Sequence, residues 1–172
     1  FTNTMMNHAR ALVHIYQDGS VVVSTGAVEM GQGVNTKLLQ VAAQAFGISP
    51  ERVKIESTNT LRIANTSPTA ASAGADLNGK ALQKACLLLK ERLAGVAQKS
   101  LGCMEVAFRE DRIYEPGTEN GLPWEQVVLL AFQQRVSLSE HAHYATPVIH
   151  YDKTIEKGHP FAYHVYGTAL LE

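Results

Sequence analysis

Two β-branched runs, residues 11–16 (ALVHIY) and 21–25 (VVVST), stand either side of Gln17-Asp18-Gly19-Ser20 and constrain this chain more than any other feature. Asp-Gly between apolar runs specifies an antiparallel hairpin, because both residues accept the left-handed backbone of a tight turn. A hairpin with one apolar face must be covered, and the chain supplies the cover directly. In VNTKLLQVAAQAF, Val34, Leu38, Val41, Ala42 and Ala45 recur at helical spacing. Gly47 is a helix-ending residue, and Ser49-Pro50-Glu51 reads as the cap and first position of one short turn. Residues 53–57 (VKIES) then read as a third strand.

A polar loop leads to a second helix, for which Ser67 is the expected cap and Pro68 the expected first residue. Its apolar face is Ala81, Leu82, Ala85, Leu88, Leu89 and Leu93. Residues 101–121 carry a weaker pattern, with a short hairpin expected around Glu110-Asp111. Pro123-Trp124-Glu125 opens a third helix, PWEQVVLLAFQQRV, and residues 137–170 alternate aromatic and polar side chains in the manner of β-structure. The order hairpin, helix, strand, helix predicts an α+β fold, a two-layer domain with helices packed on a mixed β-sheet. Residues 1–172 read as a single domain without repeats or linkers, and both ends read as cut from a larger region.

With 172 residues the chain is long enough to bury a core. Its net charge of −1 offers no basic surface for nucleic acid, so no nucleic-acid partner is expected. The longest apolar run, residues 127–132, is too short for a membrane span, and no membrane partner is expected. The start FTNTMMNHAR lacks both a basic leader and an apolar segment, which leads to a cytoplasmic expectation. Cys86 and Cys103 form no CxxC pair; Cys86 lies in the second helix pattern and reads as a small buried hydrophobe.

Between the hairpin and the first helix lies GAVEMGQGVNTK, residues 26–37. A glycine-rich turn leading into a helix offers backbone N–H groups to an anion. The stretch is not a Walker A loop, since Gln32 and Gly33 follow Gly31 where lysine and a hydroxyl are needed. Nor is it a dinucleotide fingerprint, since Thr36 stands at the third glycine position. The second helix start, NTSPTAAS, gathers Thr66, Ser67, Thr69 and Ser72 around small alanines. Either two such starts converge on one anionic ligand, or the first is a plain tight turn and the second a well-capped helix. His141 and His143 share a strand face, but no further ligand sits at a helpful spacing, so no metal site is expected. Glu29 and Glu56 read as solvated groups or structural hydrogen-bond acceptors rather than general bases.

GAVEMGQGVNTK, then NTSPTAASA at 65–73 and Asn78-Gly79, together resemble the molybdenum-binding region of the xanthine dehydrogenase family of molybdenum hydroxylases. Trp124, Arg135-Val136-Ser137-Leu138-Ser139, Tyr144-Ala145-Thr146-Pro147 and GHPFAYHVYG at 158–167 fit the same family, in order, over nearly the whole chain. The resemblance implies that Met30, Gly31, Gln32 and Gly33 contact molybdopterin, with Thr69, Ala70, Ala71 and Ser72 adding further contacts. It implies a parent oxidoreductase that hydroxylates purines, hypoxanthine to xanthine to urate, with oxygen from water. FAD and [2Fe-2S] clusters would lie in other segments or subunits, and so would the catalytic glutamate. No catalytic residue is therefore assigned here, and the chain alone is expected to be inactive. An aldehyde oxidase-like or other N-heterocycle hydroxylase is the near alternative, and a stand-alone phosphate-ligand module the distant one. One departure is that Ala27-Val28 stand where the family often has Gly-Thr.

Overall fold

A computed structural model describes residues 6–70, 72–147, 149–162 and 169–171. The hairpin forms as its sequence specifies: β1 (His8–Ile15) and β2 (Val21–Thr25) pair antiparallel, with Val13 opposite Val23 and Ile15 opposite Val21. Alternate residues of β1, Ala9, Ala11, Val13 and Ile15, are buried, as the two-residue period of a strand with one covered face requires. The short strand β3 (Val53–Ile55) pairs parallel with β2, and β7 (Ser139–Ala145) pairs antiparallel with the other edge of β1. The result is a mixed four-stranded sheet in the order β3-β2-β1-β7.

Helix α1 (Val34–Phe46) buries Val34, Leu38, Ala42, Ala43 and Phe46, and Gly47 ends it in the left-handed region at φ 66°. Beside it, α2 (Ala73–Leu101) crosses β1 and β7 and fills the centre of the core with Leu77, Leu82, Leu89 and Leu93. Two expectations for α2 are corrected. It begins at Ala73 with Ser72 as its cap residue, not at Ser67-Pro68. Ser67 is committed to β1 instead: its hydroxyl accepts the His8 N–H at 3.0 Å and its own N–H donates to the His8 carbonyl at 3.1 Å. Leu88 is 44% exposed, and the covered face runs through Cys86 in its place. Burial in that apolar setting pushes the Cys86 thiol up to about 12, so it packs as an unreactive hydrophobe.

The 101–121 region holds more order than its pattern shows. Strands β4 (Ala107–Arg109), β5 (Arg112–Tyr114) and β6 (Gly121–Pro123) form a small antiparallel sheet. Glu110 and Asp111 make its first turn with φ of 53° and 57°, both left-handed as such a tight hairpin demands. Helix α3 (Trp124–Gln133) follows at once. The Trp124 indole is fully buried beside Phe46, with ring centroids 5.3 Å apart, and donates to the Gly19 carbonyl at 2.7 Å. That bond ties α3 to the β1–β2 turn across 105 residues of sequence. A last pair, β8 (His150–Asp152) and β9 (Lys157–His159), forms a separate ribbon. Residues 163–167 of the GHPFAYHVYG motif lie outside the described residues.

Candidate functional site

The chain leaves β2 at Thr25 and crosses to α1 through residues 26–33. The Thr58 hydroxyl donates to the Ala27 carbonyl at 2.6 Å, which fixes the start of the crossing. A side chain at Gly26 would collide with that of Thr66, so the turn lies directly against the strand-to-helix segment before α2. The contact is completed by the Val28 N–H, which donates to the Thr69 hydroxyl at 2.9 Å. The two motif stretches, 41 residues apart in sequence, thus meet at one place.

Glu29 organises the turn. One carboxylate oxygen accepts the N–H groups of Gly31 at 2.9 Å and Gly33 at 3.0 Å, and the other accepts that of Asn35 at 3.0 Å. The Asn35 amide first, then those of Gly33 and Gly31, holds this carboxyl below the ordinary glutamate range. Gly33, at the N-terminus of α1, has no side chain with which to cap the helix, and Glu29 supplies that cap from four residues upstream. The Gln32 amide closes the turn from its other end. Its oxygen accepts the Met30 N–H at 2.6 Å, and its nitrogen donates to the Val28 carbonyl at 2.8 Å. These backbone amides are therefore taken in the structure: the anion at the start of α1 is the chain's own.

What the turn presents outward is an open surface. Gly31 and Gly33 adopt φ of 95° and 74°, and a Cβ built on either would meet nothing within 4 Å. Only glycine takes such angles without strain, and its missing side chain leaves the backbone bare. Met30 beside them is 66% exposed. Thr69 accepts from Val28 and keeps its own hydroxyl proton to donate, while Gln32 keeps a second N–H and a second lone pair. Ser72, exposed at the start of α2, makes no side-chain cap bond. Gly74 completes the junction, with a Cβ there 3.7 Å from Thr69 and 3.8 Å from Val34. Of the residues singled out from sequence, Met30, Gly31, Gln32, Gly33 and Thr69 are brought together here, with Ala70 and Ser72 following Thr69 in the chain. Ala71 lies outside the described residues.

The molybdopterin cofactor-binding domain family matches residues 1–172. The chain belongs to this family. As a molybdopterin cofactor-binding domain it is 39% identical over its full length to xanthine dehydrogenase/oxidase of Gallus gallus, and spans 11% of that protein. It is 40% identical over its full length to aldehyde oxidase 2 of Macaca fascicularis, again spanning 11% of the relative. Among solved structures, quinoline 2-oxidoreductase from Pseudomonas putida 86 superposes with a TM-score of 0.76 at 26% identity, over 80% of this chain and 19% of that one.

The residues present fit molybdopterin. Exposed hydrophobic surface at Met30, bare backbone at two glycines, and spare donors on Gln32, Thr69 and Ser72 suit a ligand with a polar heterocycle and a phosphate. A cavity of about 590 Å³ lies elsewhere, against the outer sheet face by His14, Ser24 and Lys54. Its Glu56 is already paired with Lys54 at 2.8 Å and Arg62 at 3.0 Å, so that carboxylate is a structural acceptor. His143 faces His8 with ring nitrogens 3.3 Å apart, and no group of three or more His, Cys, Asp or Glu converges among the described residues. No helix among them is long and apolar enough to cross a membrane.

The sequence did not reveal the pairing of Val28 with Thr69. For Glu29 it offered a solvated group or a structural hydrogen-bond acceptor, and the carboxylate is the second, accepting from Gly31, Gly33 and Asn35.

Proposed function

We propose that this domain holds molybdopterin within a xanthine dehydrogenase-like molybdenum hydroxylase that oxidises purines, hypoxanthine to xanthine to urate. The observation that carries the reading is the bond from Val28 to Thr69, which joins the two motif stretches at one open surface. Met30, Gly31, Gln32 and Gly33 form one side of the binding surface, and Thr69, Ala70 and Ser72 the other, with Ala71 a contact that the family resemblance implies. Bound there, molybdopterin supplies the metal centre at which oxygen from water is transferred to a substrate carbon.

This chain's own residues do the holding. Gln32 directs its spare N–H and lone pair to the heterocycle, which both accepts and donates. The hydroxyls of Thr69 and Ser72 donate to oxygens of the ligand, and Met30 covers its apolar part. Ala70 carries the smallest chiral side chain and leaves room beside the cofactor for a planar purine. The chain spans about a tenth of the curated relatives it matches, 11% of the Gallus gallus protein. The remaining segments of the enzyme are accordingly its partners, carrying FAD, [2Fe-2S] clusters and the catalytic base, and the domain by itself is inactive.

The purine assignment draws on Thr146-Pro147 leading into an aromatic strand and on the similarity to xanthine dehydrogenases. Similarity to an aldehyde oxidase at 40% identity supports aldehydes as the second reading. Turnover by the full-length, molybdenum-loaded protein separates them. Xanthine oxidised to urate with label from ¹⁸O-water is the expected result, and turnover of aldehydes without purines would reassign the substrate.

A further inference from the structure

We infer that Glu29 is a positioning residue for the cofactor: its carboxylate takes the seat of a bound anion at the start of α1 and holds the 29–33 turn in its binding shape. The inference rests on the reading above, that this turn meets molybdopterin. The amides of Gly31, Gly33 and Asn35 all donate to this one carboxylate, at 2.9, 3.0 and 3.0 Å. Among the described residues no other group accepts from them. The turn is exposed at Glu29, Met30, Gly31 and Gln32, and no side chain or backbone packs where a Cβ of Gly31 or Gly33 would stand. A loop with bare glycines at φ of 95° and 74° carries high conformational entropy when free. A charge-assisted bond shared among several amides opposes that entropy before a ligand arrives.

The Gln32 amide depends on the same device. Its bonds to Met30 and Val28 form only while the backbone between them stays folded back, which is the conformation Glu29 enforces. Preorganisation of this kind raises affinity by lowering the ordering cost of binding. It also has a chemical consequence. With the three amides occupied by a carboxylate, the ligand's phosphate finds no free donor among them.

Glu29→Gln is nearly isosteric and tests this. The amide oxygen can still accept from Gly31 and Gly33, but the charge is lost and an NH₂ faces the Asn35 N–H. The full-length protein is prepared without cofactor, and hydrogen exchange is followed on the peptide spanning residues 28–36. It is also prepared with cofactor at limiting and at excess molybdate, and molybdenum and pterin are measured. Glu29→Gln is expected to speed exchange of that peptide about tenfold. It is expected to lower molybdenum content at limiting molybdate, with recovery at excess, while Glu29→Asp, which keeps the charge, recovers part of both. Unchanged exchange, or lost exchange protection with unchanged molybdenum content, overturns the inference. Lost molybdenum with unchanged exchange also overturns it, since Glu29 would then touch the cofactor itself. A wild-type protein that binds neither molybdenum nor pterin sinks the underlying reading instead, whatever the exchange shows.

Discussion

The Thr69 hydroxyl accepts the Val28 backbone N–H at 2.9 Å, and through that bond the turn after β2 and the segment before α2 become one surface. Each stretch alone is an ordinary loop. Joined, they set the Gln32 turn and the Thr69 hydroxyl beside one another.

Thr69→Val removes the acceptor while keeping the shape, and leaves the Val28 N–H without its protein partner. The expected cost is about 1 kcal/mol of local stability. Faster exchange of the 28–36 peptide and reduced molybdenum content in the full-length protein check it, and Thr69→Ser, which restores the hydroxyl, should reverse most of both effects.

Gly33→Ala places a side chain at φ 74°, where the left-handed backbone costs about 1–2 kcal/mol. No atom of the described residues lies within 4 Å of the new methyl, so it meets no clash among them. The melting temperature should drop by only the few degrees that this backbone cost implies, while molybdenum content falls sharply because the methyl enters the ligand's side of the turn. A large fall in melting temperature with normal molybdenum content would contradict this.

Acid should loosen the turn. The Glu29 carboxyl is held below its ordinary value by the Asn35, Gly33 and Gly31 amides, so its stabilisation is fully present above the unfolded value near 4.5. It is lost as pH falls from there through the lower folded value. Exchange of the 28–36 peptide, corrected for the intrinsic pH dependence, should accelerate in that window in the wild type and show no such step in Glu29→Gln.

Much of this arrangement was legible in the sequence, because it rests on local rules. Gln17-Asp18-Gly19-Ser20 specified the hairpin, and the spacing of Val34, Leu38 and Ala42 specified α1 with Gly47 at its end. Ser67-Pro68 misled because a cap signal is local, whereas the Ser67 hydroxyl is taken by His8, 59 residues away in sequence. Leu88 misled because the 29-residue α2 is covered along one stripe only, and that stripe passes through Cys86. In the candidate site, the residue types of both motifs were readable and their convergence stood as one of two alternatives, but the bond that joins them was not readable. The bond from Val28 to Thr69 depends on how β1, β2 and α2 stack, which no local pattern encodes.

Trp124 tests the stacking itself. Its indole fills the core beside Phe46 and holds the Gly19 carbonyl at 2.7 Å, so Trp124→Ala should cost about 3–5 kcal/mol. Trp124→Phe keeps the ring and loses the hydrogen bond, and should cost less. Thermal unfolding of both variants gives the comparison, and equal losses would mean that the bond to Gly19, rather than the buried ring, carries the effect.

The most direct test of the central claim is the molybdenum and pterin content of the full-length protein, wild type against Gln32→Ala. Stoichiometric molybdenum and pterin are expected in the wild type, and loss of most of both in the variant with its fold intact by circular dichroism. A Gln32→Ala protein that retained the full wild-type content would contradict it, since the 29–33 turn would then be no part of the cofactor's seat.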